Sequence, residues 1–193
     1  MSPRMIVVAG PPGSGKSSIF PVSGFGVPYF NADDRAAELN GGSYAGISRQ
    51  VRAVVNREFQ AFVLDSIDRR RSFAMETTLR STVTFEQAAL AKAAGFATEI
   101  RYLALRDFAM HLERVKARAD AGGHSASETT LRAIYRASLA NLQRAVLEMD
   151  DLWIYDNSPV GGPPLLVLEA EKGAVRYLAN TPPDWLVSAL DLS

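Results

Sequence analysis

Gly10-Pro11-Pro12-Gly13-Ser14-Gly15-Lys16-Ser17 is the stretch on which the reading of the whole chain turns. It fits G-x-x-x-x-G-K-[ST], the Walker A pattern, at every fixed position. Glycines tolerate positive φ and leave the backbone bare, so successive N–H groups can point inward at a phosphate. A helix opening at Lys16 adds its positive N-terminal end. Lys16 then bridges the β- and γ-phosphates, and the Ser17 hydroxyl ligates Mg²⁺. With Gly at ~7% of residues the pattern arises by chance in roughly one chain of this size in a hundred. Here it follows Met5–Ala9, a continuous apolar run that reads as a buried parallel strand, which is the context the motif requires. ATP and Mg²⁺ are the expected cofactors. Gly10, Pro11, Pro12, Gly13, Ser14, Gly15, Lys16, Ser17 and Ser18 form the expected phosphate cradle. Pro21 falls a turn into the helix and removes a backbone hydrogen bond, so that helix is expected to be short or kinked.

Strand and helix signals alternate outward from the cradle. Pro28–Asn31 and Ser72–Glu76 read as the second and third strands, Glu99–Leu105 as the fourth and Leu152–Tyr155 as the fifth. Between them, Ser48 to about Arg70 carries Val51, Val55, Phe59, Phe62 and Ile67 at helical spacing. Thr84–Ala94 is an Ala-rich helix with Thr84…Gln87 as a capping box, ended by Gly95. Asp107 is placed to cap a helix with the stripe Phe108, Leu112, Val115 and Ala119. Ser125…Glu128 opens another helix, expected to run to about Asp150. After a Gly/Pro linker, LLVLEA and AVRYLA flank Glu171-Lys172-Gly173 as an antiparallel hairpin, and a short helix holds Trp185. The pattern predicts one three-layer P-loop α/β domain over residues 1–193, with a right-handed parallel sheet. Phe59, Phe62, Tyr135 and Trp153 fit core stripes. Tyr44 and Phe25 lie in Gly-rich loops, where a ring can stack on a base or sugar.

Composition narrows the function. The 193 residues hold 21 Lys plus Arg against 21 Asp plus Glu, so no global field draws in long nucleic acid or an anionic membrane. There is no cysteine and there are two histidines, which leaves neither disulfides nor a zinc-hydrolase ligand set. The N-terminal apolar run of about five residues is too short for a signal h-region, and a cytoplasmic location is expected. A guanine-reading N-K-x-D is absent, since Lys16, Lys92, Lys116 and Lys172 are the four lysines.

A kinase needs a carboxylate to take the acceptor's proton. Asp33, in Asn31-Ala-Asp-Asp34, and Glu76, in Met75-Glu-Thr-Thr-Leu-Arg80, follow predicted strands on the edge that bears the cradle; Asp33 or Asp34 capping a helix is the competing reading. Arg114 and Arg118 share one helix face, Arg132 and Arg136 the next, as in a lid that neutralises phosphoryl charge. Pairing with Glu113 and Glu128 on a solvated face is the alternative for each. Arg69-Arg70-Arg71 suits a helix C-terminus.

AGPPGSGKSS (9–18), YFNADD (29–34), METTLRS (75–81), RVKARADAGGHS (114–125), RAIYRASLANL (132–142) and YDNS (155–158) resemble, in order, the zeta toxin family of P-loop kinases. The resemblance implies a nucleoside-monophosphate-kinase-like fold; with the residue reading, the expectation is a five-stranded parallel sheet, a helical lid over about 114–136, and the C-terminal hairpin and helix over about 165–190. It implies phosphoryl transfer from ATP to a hydroxyl of a sugar or nucleotide sugar, with UDP-N-acetylglucosamine the best-known acceptor, and an antitoxin protein as a partner. By the resemblance Asp33 is the general base, and Asn31, Glu76, Thr77 and Arg80 contact the acceptor. Arg118 acts as a lid arginine. The second lid position holds Gly123-His124, so Arg132 or Arg136 substitutes, with Arg136 assigned the catalytic role. Asn157 and Ser158 lie near the adenine. Two other functions stay open: an ATP-binding regulatory module acting through a protein partner, and a nucleoside or nucleotide kinase.

Overall fold

The computed structural model describes residues 2–120, 126–159 and 161–192. In chain order the elements are β1 (Arg4–Ala9), α1 (Lys16–Ile19), a 3₁₀ turn (Val22–Phe25), β2 (Tyr29–Phe30), α2 (Ala32–Leu39), α3 (Arg49–Asp68), β3 (Phe73–Thr77), α4 (Val83–Ala93), β4 (Ala97–Ala104), α5 (Phe108–Asp120), α6 (Glu128–Ala140), α7 (Leu142–Glu148), β5 (Asp151–Asp156), β6 (Leu165–Glu171), β7 (Ala174–Leu178) and α8 (Asp184–Leu190). One sheet in the order β2-β3-β1-β4-β5-β6-β7 organises them. The first five strands run parallel; β6 and β7 continue the sheet antiparallel. The C-terminal hairpin is therefore part of the sheet, joined along β5.

Strand β1 is buried on both faces, which is why its sequence is apolar without alternation. Met5, Val7 and Ala9 enter the main core with Phe73, Met75, Ile100, Tyr102, Leu152 and Ile154; Val63 of α3, Phe85 of α4, Leu142 of α7 and Trp185 of α8 close it. Each such large side chain contributes about 1.5–3 kcal/mol by leaving water. Ile6 and Val8 face the other way, against Val22 and Ala74, with Phe20, Phe25 and Val27 around them. On that face the cover over β1 is one helical turn and the 3₁₀ turn, because Pro21 comes just after Phe20, which ends α1. Over β4 and β5, Arg101 lies 4.9 Å from the Phe25 ring centroid and 5.0 Å from that of Trp153. It pairs with Glu99 at 2.9 Å.

Several helix ends differ from the sequence expectation. Helix α4 starts at Val83, and Thr82 rather than Thr84 marks its start: Thr82 Oγ1 donates to Glu86 Oε1 at 2.7 Å, and the Glu86 amide donates to the Thr82 carbonyl at 3.1 Å. Thr84 and Gln87 are buried, so the pattern that resembled a capping box is a core face. Helix α6 is capped by Ser127, whose Oγ accepts from the Thr130 amide at 3.2 Å. Ser125 lies outside the described residues. The expected long helix breaks at Asn141, which ends α6, begins α7 and donates from Nδ2 to the Leu79 carbonyl at 2.8 Å. Arg69 and Arg71 pair with Asp65 at the end of α3, as a solvated helix terminus should. Among the described residues no helix is long and apolar enough to cross a membrane.

Candidate active site

The parallel strands carry the loop ends that build the site to one edge of the sheet. After β1 the chain turns through Gly10, Gly13 and Gly15 at φ 142°, 81° and 95°. Side chains do not fit there. A β-carbon would stand 2.0 Å from the Leu103 carbonyl oxygen at Gly10, 2.5 Å from that of His111 at Gly13, and 2.5 Å from Asn157 Nδ2 at Gly15. The amides of Gly15, Lys16 and Ser17 find no acceptor among the described residues. Among the described residues the buried Ser14 hydroxyl also has no partner. A concave run of unsatisfied donors at a helix start fits a phosphate group.

Lys16 folds over this cradle, its Nζ 3.3 Å from the Pro11 carbonyl and 3.8 Å from Glu76 Oε1. Burial lowers its proton affinity most; Glu76 and Asp33 push it back up, and Arg118 lowers it further. Glu76 of β3 is the carboxylate in contact with Lys16, and the charges of Asp33 from α2 and Arg118 from α5 are near enough to act on it. Ser17 Oγ donates to Glu76 Oε2 at 3.0 Å. Glu76, expected at the acceptor, thus reaches the cradle. It does so because β3 pairs directly with β1, Glu76 beside Val8.

Asn31 resolves the question of the acid pair. Its Oδ1 accepts from the Asp33 amide at 3.0 Å and from the Asp34 amide at 3.4 Å, so Asn31 is the cap and neither aspartate is. Asp34 Oδ1 accepts from the Tyr44 hydroxyl at 2.9 Å. No hydrogen bond or salt bridge holds the exposed Asp33 carboxylate among the described residues.

The arginines divide. Arg114 donates to the Asn157 carbonyl at 2.9 Å. Arg132 pairs with Glu128 at 2.8 Å and lies 4.1 Å over Phe108, so it is engaged away from Lys16. Arg118 is exposed and close enough to Lys16 and Tyr44 for its charge to act on both. Arg136 is exposed on α6, and no contact among the described residues joins it to the cradle. Gly123 and His124 lie outside the described residues. Arg80 is exposed beyond β3, and Thr77 Oγ1 accepts from the Leu79 amide at 3.2 Å. Asn157 Nδ2 donates to the Ser14 carbonyl at 2.9 Å, bracing the cradle from the end of β5. Ser158 Oγ accepts from the Arg106 amide at 2.6 Å. Phe25 packs on Arg101 and is not at this site.

His111 was not legible as a site residue. It is buried at 2% exposure, accepts from the Leu105 amide through Nε2 at 3.0 Å, and donates from Nδ1 to the Pro12 carbonyl at 2.9 Å. Burial, the largest influence, lowers its pKa from about 6.5 to about 4. The unfolded chain takes up a proton near pH 6.5 and the native one only near pH 4. The contribution of His111 to stability is therefore complete above pH 6.5 and is lost as pH drops to 4, by roughly 3 kcal/mol. Urea midpoints between pH 4 and 7 should show this slope in the wild type and lack it in His111→Gln. Equal slopes in the two proteins would exclude His111 as its source.

The family model for zeta toxin matches residues 37–160, well over half of the chain. The chain belongs to the zeta toxin family. Its parallel sheet and glycine cradle are the P-loop NTPase fold of that family, and solved structures agree at the level of the fold. A chain of the AvrRxo1-ORF1:-ORF2 complex with ATP superposes with TM-score 0.72 and 15% identity, over 95% of this chain and 64% of the other. This chain thus spans somewhat less than two thirds of that protein. A structure from the PezAT chromosomal toxin–antitoxin system of Streptococcus pneumoniae gives TM-score 0.63 and 15% identity over 98% and 77%. A candidate kinase from Chloroflexus aurantiacus J-10-fl gives 0.55 and 21% over 70% and 79%. No curated protein matches the chain.

Proposed function

We propose that this member of the zeta toxin family is an ATP-dependent kinase, transferring the γ-phosphoryl group to a hydroxyl of a sugar or nucleotide sugar such as UDP-N-acetylglucosamine. The observation that carries the reading is the buried Lys16 at the mouth of the glycine cradle, 3.8 Å from Glu76, whose carboxylate also accepts from the Ser17 hydroxyl at 3.0 Å. Bound Mg²⁺-ATP supplies the activated phosphoryl group and part of its charge neutralisation. The cradle residues Gly10 to Ser18 hold the phosphates. Lys16 presents its charge where little water screens it. Ser17, by giving its proton to Glu76, keeps oxygen lone pairs for the metal. Asp33 accepts the acceptor's proton as the new O–P bond forms and the bond to the leaving ADP oxygen breaks. Arg118 stabilises the transferring group from the lid side, with Arg136 proposed beside it when the lid closes. Asn31, Thr77 and Arg80 are proposed acceptor contacts, and Asn157 braces the nucleotide site.

We read residues 1–193 as one kinase domain acting in the cytoplasm, with no membrane or long nucleic acid as partner. A protein partner belongs to the reading, because one structural relative comes from a toxin–antitoxin system. The exposed edge strand β7, with Val175, Tyr177 and Leu178 in solvent, favours a second reading in which ATP binding serves a protein contact. Incubation with Mg²⁺-ATP and a panel of nucleotide sugars, sugars and nucleosides, read by mass spectrometry with Asp33→Asn as control, separates these. A gain of one phosphoryl group that needs Asp33 supports the kinase and names its acceptor. A phosphorylated nucleoside would move the assignment to a nucleoside kinase. ATP binding without any product would favour the regulatory module.

A further inference from the structure

The loop joining α2 to α3, residues 40–48, is held in one shape by its own side chains. Asn40 Nδ2 donates to the carbonyls of Ser43 and Ala45, both at 2.8 Å, and the Ala45 amide donates to Ser43 Oγ at 3.2 Å. Gly41 and Gly42, at φ 68° and 86°, make the turn that brings the chain back. The loop presents Tyr44 with 37% of its surface in solvent and its hydroxyl on Asp34. The braced turn sets the Tyr44 ring beside the start of α2, where its hydroxyl reaches Asp34.

The Tyr44 hydroxyl holds its proton more tightly than usual, first because of the hydrogen bond to Asp34 and then through the charges of Asp34 and Asp33, while Arg118 opposes them. Asp33 and Arg118 are also the groups that act on Lys16. Asp34, which holds the Tyr44 hydroxyl at 2.9 Å, follows Asp33 directly in the first turn of α2, so the phenol stands at the helix start that carries Asp33. Phe25, the other aromatic of a Gly-rich loop, is committed to Arg101.

The geometry points to Tyr44 as the specificity-determining residue of the acceptor site. Its ring is the wall on which a ring of the acceptor stacks, and its hydroxyl occupies Asp34 so that Asp33 is the carboxylate left to take the proton. This rests on the kinase reading above and narrows the acceptor to hydroxyls carried on or beside a ring, at the expense of open-chain alcohols. Stacking of this kind changes affinity roughly 10- to 100-fold.

The test uses the full chain with Mg²⁺-ATP and four probes: UDP-N-acetylglucosamine, uridine, glucose and, as the open-chain alcohol, glycerol. For the ring acceptor the wild type uses, Tyr44→Ala should raise KM about 10- to 100-fold while the Kd for ATP changes less than about 2-fold. Tyr44→Phe and Tyr44→Trp, which keep the ring, should restore KM to within about 5-fold of wild type. A merely structural loop residue would instead lower thermal stability and kcat with KM untouched, and Trp would not rescue it. Turnover with an unchanged acceptor KM in Tyr44→Ala overturns the Tyr44 assignment alone, as does a wild type that prefers glycerol. No product from any probe fails the kinase reading itself, and the Tyr44 assignment falls with it.

Discussion

Asp33→Asn should lower kcat by about 10²- to 10⁴-fold while leaving ATP binding intact, the range expected when a positioned proton acceptor is removed. The fold gives little reason for collateral damage. The Asp33 amide, not its side chain, is what Asn31 binds, so the cap of α2 survives the change. Loss of one carboxylate from the first helical turn costs about 0.3–1 kcal/mol, too little to unfold the domain. Asp34→Asn is the matched control. Its carboxylate already accepts from Tyr44, so turnover should stay within about 10-fold of wild type. Single-turnover transfer and the ATP-induced rise in Tm distinguish chemistry from binding. Wild-type kcat in Asp33→Asn, or a collapse confined to Asp34→Asn, would move the base to the other carboxylate.

Lys16→Met should be the most damaging change for the nucleotide itself, lowering kcat/KM by roughly 10³-fold or more and abolishing the ATP-induced Tm shift. Lys16 is 7% exposed, so its charge works in a poorly screened place, where an ammonium facing phosphate is worth far more than at the surface. The same burial makes the free protein tolerant of the change. Removing a desolvated ammonium relieves a cost, and leaving Glu76 without its 3.8 Å cation partner adds one. These oppose each other, and the Tm without nucleotide should move by no more than a few degrees. A variant that loses the fold in calorimetry would mean the Lys16–Glu76 contact is chiefly structural. One that keeps its ATP-induced shift would place the phosphates elsewhere.

What the cradle sequence determined follows from local chemistry. Three glycines, a buried β-strand before them and a lysine–serine pair after them can satisfy their backbone in few ways, and the loop takes the P-loop shape. Pro21 limits the following helix to one turn by removing an amide donor, again a local effect. The parallel strands were legible because strands buried on both faces need continuous apolar runs. Helix starts were less so, since Thr84…Gln87 fits a capping box by spacing, yet both side chains are turned into the core.

The sharing-out of the charged residues was decided by the tertiary structure. Glu76 meets Ser17 because β3 lies beside β1, a pairing across 59 positions that no local pattern encodes. Asp33 is left open because Asn31 takes the cap and Tyr44, from a loop ten residues on, takes Asp34. His111 looks like any helical histidine until the fold seats one ring nitrogen on Pro12 and the other on Leu105. The sequence by itself determined that residues 10–17 turn as a glycine loop between a buried strand and a helix start. Which acids and arginines lie near that loop was settled by strand order and helix docking, because charge–charge contacts depend on distances in space that the chain closes only when it folds.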